Sequence, residues 1–265
     1  MGDVIGVYSG SGDPKRSMEL LWGIQERPRR GPKPRLTVDR IAAAAIAIAN
    51  AEGLEAVSMR RLATDLGVTA MSLYGYVPSK AELVDLMVDR VHAEACEDEE
   101  EPGGWRDRLA RAARRTWELY LRHPWLLQVA TTRPVLGPNL IAKYDRDLRA
   151  VAGIGLTSIE MDLVVTLVVN YVHGAARGAV EYAQAERATG IADEEWWRRY
   201  EPLLTKVFDA EKFPVAAEVG AAAGQEYGAA DPARAFEFGL ERLLDGVAVL
   251  VEQAARRGPA SRQRV

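Results

Sequence analysis

The sequence predicts an all-α protein, and three observations carry that prediction. Apolar residues recur at steps of three and four rather than two, prolines and glycines fall where helices would end, and no strand-length stretch alternates apolar with polar residues. The chain has 265 residues, 48% hydrophobic and 27% charged. That balance suits a folded, soluble protein with a substantial core.

Taken in order, the helices begin after a basic N-terminal stretch. Val38, Ile41, Ala45 and Ile48 form one apolar face, with Thr37 as N-cap and Gly53 past the end. A short helix follows Ser58, with Met59, Leu62, Ala63 and Leu66 facing inward and Gly67 supplying the left-handed stop. A third begins at Thr69, where Val68 and Leu73 occupy the two positions of a hydrophobic staple. Pro78 ends it, and Ser79 to Glu82 reads as a capping box opening a fourth helix with Leu83, Leu86, Met87 and Arg90 on one face. These helices make one unit over 37–95. The acidic run Glu97 to Glu101 and Pro102-Gly103-Gly104 mark the boundary to a second unit over 103–258. Helices are expected there at 105–122, 125–131, 138–152, 158–186, 193–208 and 232–256. The Gly- and Ala-rich stretch 213–230 is expected to be a mobile loop.

Several function classes are not expected. One cysteine, Cys96, leaves no internal disulfide and no cysteine-based zinc site, which points to a reducing, cytoplasmic setting. Residues 1–12 lack the pattern of a secretory signal, and the longest apolar run, 161–172, is short for a bilayer and interrupted by Asp162, Thr166 and Asn170. No membrane segment is expected. There is no glycine-rich phosphate loop, no H-E-x-x-H and no G-x-S-x-G, so an enzyme is not expected. His92, His123 and His173 share no metal-ligand spacing, and neither a metal nor any other cofactor is expected.

The formal net charge is -4, but phosphate binding depends on where charge sits. Arg29, Arg30, Lys33 and Arg35 crowd a Pro/Gly-containing stretch, so residues 1–36 are expected to form a flexible basic arm. Such an arm either tracks a nucleic-acid backbone or enters its minor groove, or else is a solvated linker that aids solubility.

A helix-turn-helix needs a small residue where its helices cross, a glycine in the turn and an apolar anchor under the second helix. Ala63, Gly67 and Leu73 fill those places, which leaves Thr69, Ala70, Met71 and Tyr74 on the side free to enter a major groove. That spacing alone is shared by many short helical hairpins. The string GLEAVSMRRLATDLGVTAMSLYGYVPSK, Gly53 to Lys80, closely resembles the DNA-binding domain of the TetR family, above all at Leu73, Tyr74, Tyr76, Val77 and Lys80. The resemblance covers residues 37–91. It implies that Arg60, Thr69, Ala70 and Met71 approach bases while Ser72, Tyr74, Tyr76 and Lys80 grip the phosphate backbone. A bidentate bond from Arg60 to guanine is worth about 1–3 kcal/mol of discrimination. Packing between helices for Tyr74 and Tyr76, and a solvated charge for Lys80, are the plain alternatives. The arm is longer than in the shortest members of that family.

The stretch 158–186 is apolar in its first half and then rich in small residues, Gly174 to Ala179, which permit close helix approach. The stretch 232–256 repeats Phe236, Leu240, Leu243, Val247, Leu250 and Ala254 in alternating steps of four and three. Both serve either a monomer core or a four-helix dimer interface; the family resemblance implies a homodimer. The second unit also resembles the tetracycline repressor branch. That likeness implies an effector cavity, with Trp117, His123, Trp125, Tyr144, Asn170, Tyr171, His173 and Trp197 as its candidate lining. The reading as a whole is a dimeric, small-molecule-released repressor on a pseudo-palindromic operator, in which the effector shifts the helix 79–95. A helical ligand-binding or adaptor protein whose helix-turn-helix no longer binds DNA is the alternative.

Overall fold

The computed structural model describes residues 7–24, 36–95, 102–130, 133–228 and 230–257. Among the described residues the regular structure is helical apart from one pair of two-residue strands. In order come β1 (Val7–Tyr8), α1 (Pro14–Leu21), α2 (Val38–Glu52), α3 (Met59–Leu66), α4 (Ala70–Tyr74), α5 (Lys80–His92) and α6 (Trp105–Arg122). They are followed by β2 (Val129–Ala130), α7 (Pro138–Ala150), α8 (Ser158–Thr189), α9 (Asp193–Val207), α10 (Pro214–Tyr227) and α11 (Pro232–Arg256).

The N-terminal helices start and stop at the side chains that signal them. Thr37, Ser58 and Thr69 each accept a backbone N–H of the first turn, from Arg40, Arg61 and Ser72 respectively. Gly67 ends α3 in the left-handed conformation, φ 67°, that a β-carbon disfavours. Ile41, Ala45, Leu62, Leu73 and Val77 close the small core beneath.

α5 departs from a single apolar face. Every residue from Glu82 to His92 except Arg90 is buried, because α1, α2 and α7 pack around it. Its acids are enclosed with donors. Asp85 accepts from the Gly10 N–H at 2.9 Å and the Ser17 hydroxyl at 3.3 Å. Asp89 accepts from the Asn139 N–H at 3.1 Å, the Leu140 N–H at 3.0 Å and the Asn139 amide at 2.9 Å, all at the start of α7. Gly137 makes room for that carboxylate, since any side chain there would collide with it. Glu82 does not complete a capping box with the Ser79 backbone; it accepts the Ser79 hydroxyl and, at 3.0 Å, the Asp13 N–H. Arg90 stays exposed and pairs with Asp39 at 2.6 Å.

The donors to Glu82 and Asp85 correct the expectation of one flexible arm over 1–36. Residues 7–24 are folded onto the body: β1 pairs in parallel with β2, Val7 opposite Val129 and Tyr8 opposite Ala130. Asp13 caps α1 with Pro14 at its first position, and Ser17 and Leu20 turn inward onto α5. The Ser9 hydroxyl donates to the Arg133 carbonyl at 2.6 Å and the Trp22 indole to the Leu136 carbonyl at 3.0 Å. Arg29, Arg30, Lys33 and Arg35 lie outside the described residues.

In the larger unit α6, α8 and α11 pack together, with Trp117 stacked on Phe236 at 4.2 Å between ring centres. Two expectations are corrected here. The helix expected at 125–131 is a 3₁₀ turn, Pro124–Gln128, after which the chain extends as β2 to pair with β1. The stretch expected to be a loop at 213–230 contains α10, opened by Pro214 and carried by alanines, good helix formers. It buries no residue, so no apolar periodicity marks it. α8 is also longer than expected. Its 32 residues are long and apolar enough to cross a membrane, with mean hydropathy 1.3 over its most apolar window. In this fold Val164, Val165, Val168, Val172 and Ala176 are spent instead on core packing.

The two units meet through α5 and through Asn50 of α2, whose side-chain oxygen accepts from both His123 and Trp125 at 2.8 Å. His123 Nε2 also lies 3.1 Å from Glu94. At the far end of α5, His92 donates through Nδ1 to the Val88 carbonyl at 2.7 Å and is 7% exposed. Burial, aided by the Lys143 charge, lowers its pKa from 6.5 to about 4. The unfolded chain therefore takes up this proton near pH 6.5 while the folded chain refuses it until about pH 4, so stability falls as pH drops through that window. His92→Gln is predicted to remove this dependence. In urea melts at about pH 7 and about pH 5, the wild type should lose about 2 kcal/mol more than the variant. Equal losses would contradict the assignment.

Candidate functional site

α3 and α4 cross at the buried Ala63, with Gly67 in the turn between them and Leu73, fully buried, pinning α4 from beneath. This leaves the outer side of α4 to solvent. Met71 is 79% exposed and Tyr74 47%, both unusual for large apolar side chains. Thr69 and Ser72 are exposed beside them, their hydroxyls 2.9 Å apart. Arg60 projects from α3 into solvent, whereas the neighbouring Arg61 is held by Glu52 at 2.8 Å and Asp65 at 3.2 Å. Arg60 has no ion-pair partner among the described residues. The structure thus exposes Thr69, Met71, Ser72 and Tyr74 along α4 and Arg60 on the preceding α3.

Three other residues proposed for this surface lie differently. Ala70 and Tyr76 are half-buried against the core, so packing accounts for much of their contact. Lys80, at the first turn of α5, rests its ammonium 3.4 Å from the Leu54 carbonyl, at the edge of the same face.

A cavity of about 520 Å³ opens between α5, α6, α7, α8 and the segment 134–136. Of the residues expected to line an effector site, Tyr144, Asn170 and His173 line this cavity. Tyr144 donates its hydroxyl to Asp162 at 2.6 Å, and the His173 ring meets Tyr120 edge-on at 5.7 Å. Burial lowers the His173 pKa, with the nearby Arg177 adding to the effect, and pushes the Tyr120 phenol up to about 12. At neutral pH both rings are uncharged.

The remaining five candidates are elsewhere. His123 and Trp125 are buried at Asn50, where their polar atoms join the two units. Trp117 is consumed by its stack on Phe236. Tyr171 donates to the Phe236 carbonyl at 2.7 Å and tightens the α8–α11 contact. Trp197 stands on the outer surface of α9 beside Trp196, ring centres 6.2 Å apart. Conversely, sequence reasoning missed Val88, His92, Tyr120, Lys143 and Asp147, which all line the cavity. The legible signal was Lys143 and Asp147, an opposite-charge pair one turn apart in a helix.

Comparison with known proteins matches both units. The family model described as bacterial regulatory proteins, tetR family, matches residues 36–87, and the tetracyclin repressor-like C-terminal domain matches residues 97–251. The HTH-type transcriptional repressor DrrR1 of Streptomyces coeruleorubidus is 47% identical over 259 residues, 96% of this chain and 92% of that protein. An HTH-type transcriptional regulator of Saccharopolyspora erythraea is 33% identical over 195 residues, 72% of this chain and 82% of that protein. Among solved structures, apo ActR from Streptomyces coelicolor superposes with a TM-score of 0.67 at 30% identity, covering 86% of this chain and all 100% of that one. ActR in complex with actinorhodin gives a TM-score of 0.66 at 31% identity, covering 83% and 99%. With a helix-turn-helix that bares its second helix, a cavity in the helical body above it, and family matches to both halves, this chain belongs to the TetR family of bacterial transcriptional regulators and is not an enzyme.

Proposed function

We propose that this regulator is a homodimeric repressor that leaves a pseudo-palindromic operator when a small molecule enters the cavity between α5 and α8. The observation that carries the reading is the course of α5. Its first turn adjoins the DNA-facing surface at Lys80, and its last turns supply Val88 and His92 to the cavity wall. One helix about 20 Å long therefore touches both sites. In this reading a displacement of its C-terminal end reaches α4 through the small core they share.

The cavity volume falls within the range of small-molecule sites. Emptying an operator from 99% to 1% occupancy requires about 5.5 kcal/mol of differential binding, within reach of a well-buried ligand. That ActR is solved with actinorhodin and with (S)-DNPA supports an effector for this chain too. For the dimer, Ile159, Leu163 and Leu167 of α8 are exposed at one-turn intervals, and Asn170, Gly174 and Gly178 continue the same stripe. Phe238 and Val249 of α11 are exposed as well. A second copy laying its α8 and α11 on these faces would bury them and hold two α4 helices one duplex turn apart, about 34–36 Å. A cytoplasmic location follows from this activity.

Two outcomes test the reading. On an operator chosen by selection from random duplexes, Arg60→Ala and Tyr74→Ala are each expected to weaken binding by about 1–3 kcal/mol without altering the melting temperature, since both side chains are exposed. Fluorescence anisotropy showing unchanged affinity in both variants would remove the α4 surface from DNA recognition. For the basic stretch, replacing Arg29, Arg30, Lys33 and Arg35 together by Ser should reduce the slope of log K against log salt by about 3. An unchanged slope would show that this stretch does not touch phosphate.

A further inference from the structure

We propose that the cavity selects an effector bearing an anionic oxygen, a carboxylate or an ionised phenol, and that Lys143 receives it. This inference rests on the reading of the cavity as the effector site.

Lys143 and Asp147 lie one turn apart on the inner face of α7, both buried, with Nζ 2.6 Å from Oδ2. Both line the cavity. A buried ion pair adds little to stability, because withdrawing two charges from water offsets most of their attraction. Structural need alone thus accounts poorly for this one. A lysine ammonium also carries three N–H donors, and among the described residues Asp147 is its single acceptor. The remaining donors sit at the edge of open space.

The groups around them favour the same chemistry. His92, neutral through burial, spends its ring proton on the Val88 carbonyl and adds no donor, whereas the Tyr120 hydroxyl keeps its proton and has no acceptor among the described residues. The Tyr144 hydroxyl is turned to Asp162 instead. Asp147, already paired, is the one carboxylate among the lining residues. Lys143 and Tyr120 therefore offer donors that lack acceptors, while no unpaired carboxylate lines the wall. A cationic ligand would meet Lys143 with no free carboxylate to balance it, whereas an anion gains a charge-assisted hydrogen bond in a partly dry site. The rest of the wall, including Leu140, Val165 and Val169, fits an apolar body attached to that anion.

The test uses the full-length protein and two fluorescent probes of nearly equal shape, 9-anthracenecarboxylate and its neutral carboxamide. Titrations are expected to show the carboxylate binding wild type about tenfold more tightly, equivalent to one charge-assisted bond of about 1.4 kcal/mol. Lys143→Met should abolish that preference, lowering carboxylate affinity about tenfold while leaving the carboxamide within about twofold. Asp147→Asn should act in the opposite direction, freeing the ammonium and raising carboxylate affinity several-fold. This second variant keeps the test decisive if Lys143→Met fails to fold. Equal binding of the two probes, failure of the carboxylate to bind wild type at about millimolar concentration, or a preference that survives Lys143→Met would overturn the assignment. Val169→Trp, which fills the cavity, separates the two levels. If it blocks both probes but no carboxylate preference is seen, the charge assignment falls and the cavity stands. If both probes bind it unaltered, they bind elsewhere and the cavity reading falls as well.

Discussion

Three carboxylates on a buried helix set the terms for the rest of this structure. α5 is buried from Glu82 to His92 except at Arg90, so Glu82, Asp85 and Asp89 are cut off from most of the water that would solvate them, and each must find N–H or O–H donors within the protein. Burial raises Asp85 and Asp89, and the bonds to the backbone of Gly10 and Leu140 oppose that rise. For Glu82 burial pulls upward too, but the Ser79 hydroxyl and the Asp13 N–H bring it down overall. Apart from the Ser79 hydroxyl of α5's own cap, the donors come from two places, the N-terminal segment and the start of α7. Satisfying these acids therefore ties the DNA-reading unit to the larger one at fixed points. A looser junction would leave charges buried without partners, which costs more than most single contacts contribute.

This arrangement explains how the cavity and the DNA-facing surface can communicate. The segment 134–136 lines the cavity on one side, and on the other the N-terminal segment grips its neighbourhood through Ser9, Trp22 and the β1–β2 pair. The same N-terminal segment holds Asp85 on α5. α7, whose start caps Asp89, carries Lys143 and Tyr144 into the cavity. A ligand in the proposed site would touch α5 directly at Val88 and His92 and indirectly through both of its clamps. In a packed interior such shifts would pass along the helix rather than dissipate.

The helix-turn-helix was legible because its signals are local. Thr37, Ser58, Thr69 and Gly67 cap or stop their helices by contacts within a few residues, and Leu73 is the apolar anchor that its spacing implies. The bounds of α6 and α11 also fall where they were expected, the first directly after Gly104 and the second around the four-and-three repeat from Phe236. What sequence reasoning missed depends on contacts far apart in the chain. Nothing near Asp85 announces that Gly10 will bond it, so the N-terminal segment read as an arm. Aromatic type alone placed Trp117, Trp125 and Trp197 in the cavity, whereas Phe236, Asn50 and Trp196 claim them. Polar residues interrupting an apolar helix were the better guide, since Asn170 and His173 do reach the cavity.

The account stands on α5 transmitting a displacement from the cavity to α4. It is tested most directly by pulsed electron paramagnetic resonance on the dimer, with one spin label per protomer at Thr64→Cys in a Cys96→Ser background. An effector would first be found by screening small molecules for release of the selected operator. Operator-bound dimer should show one narrow distance between labels, and saturating effector should move or broaden it by several ångströms. An effector that releases the operator while leaving that distance distribution unaltered would contradict the account.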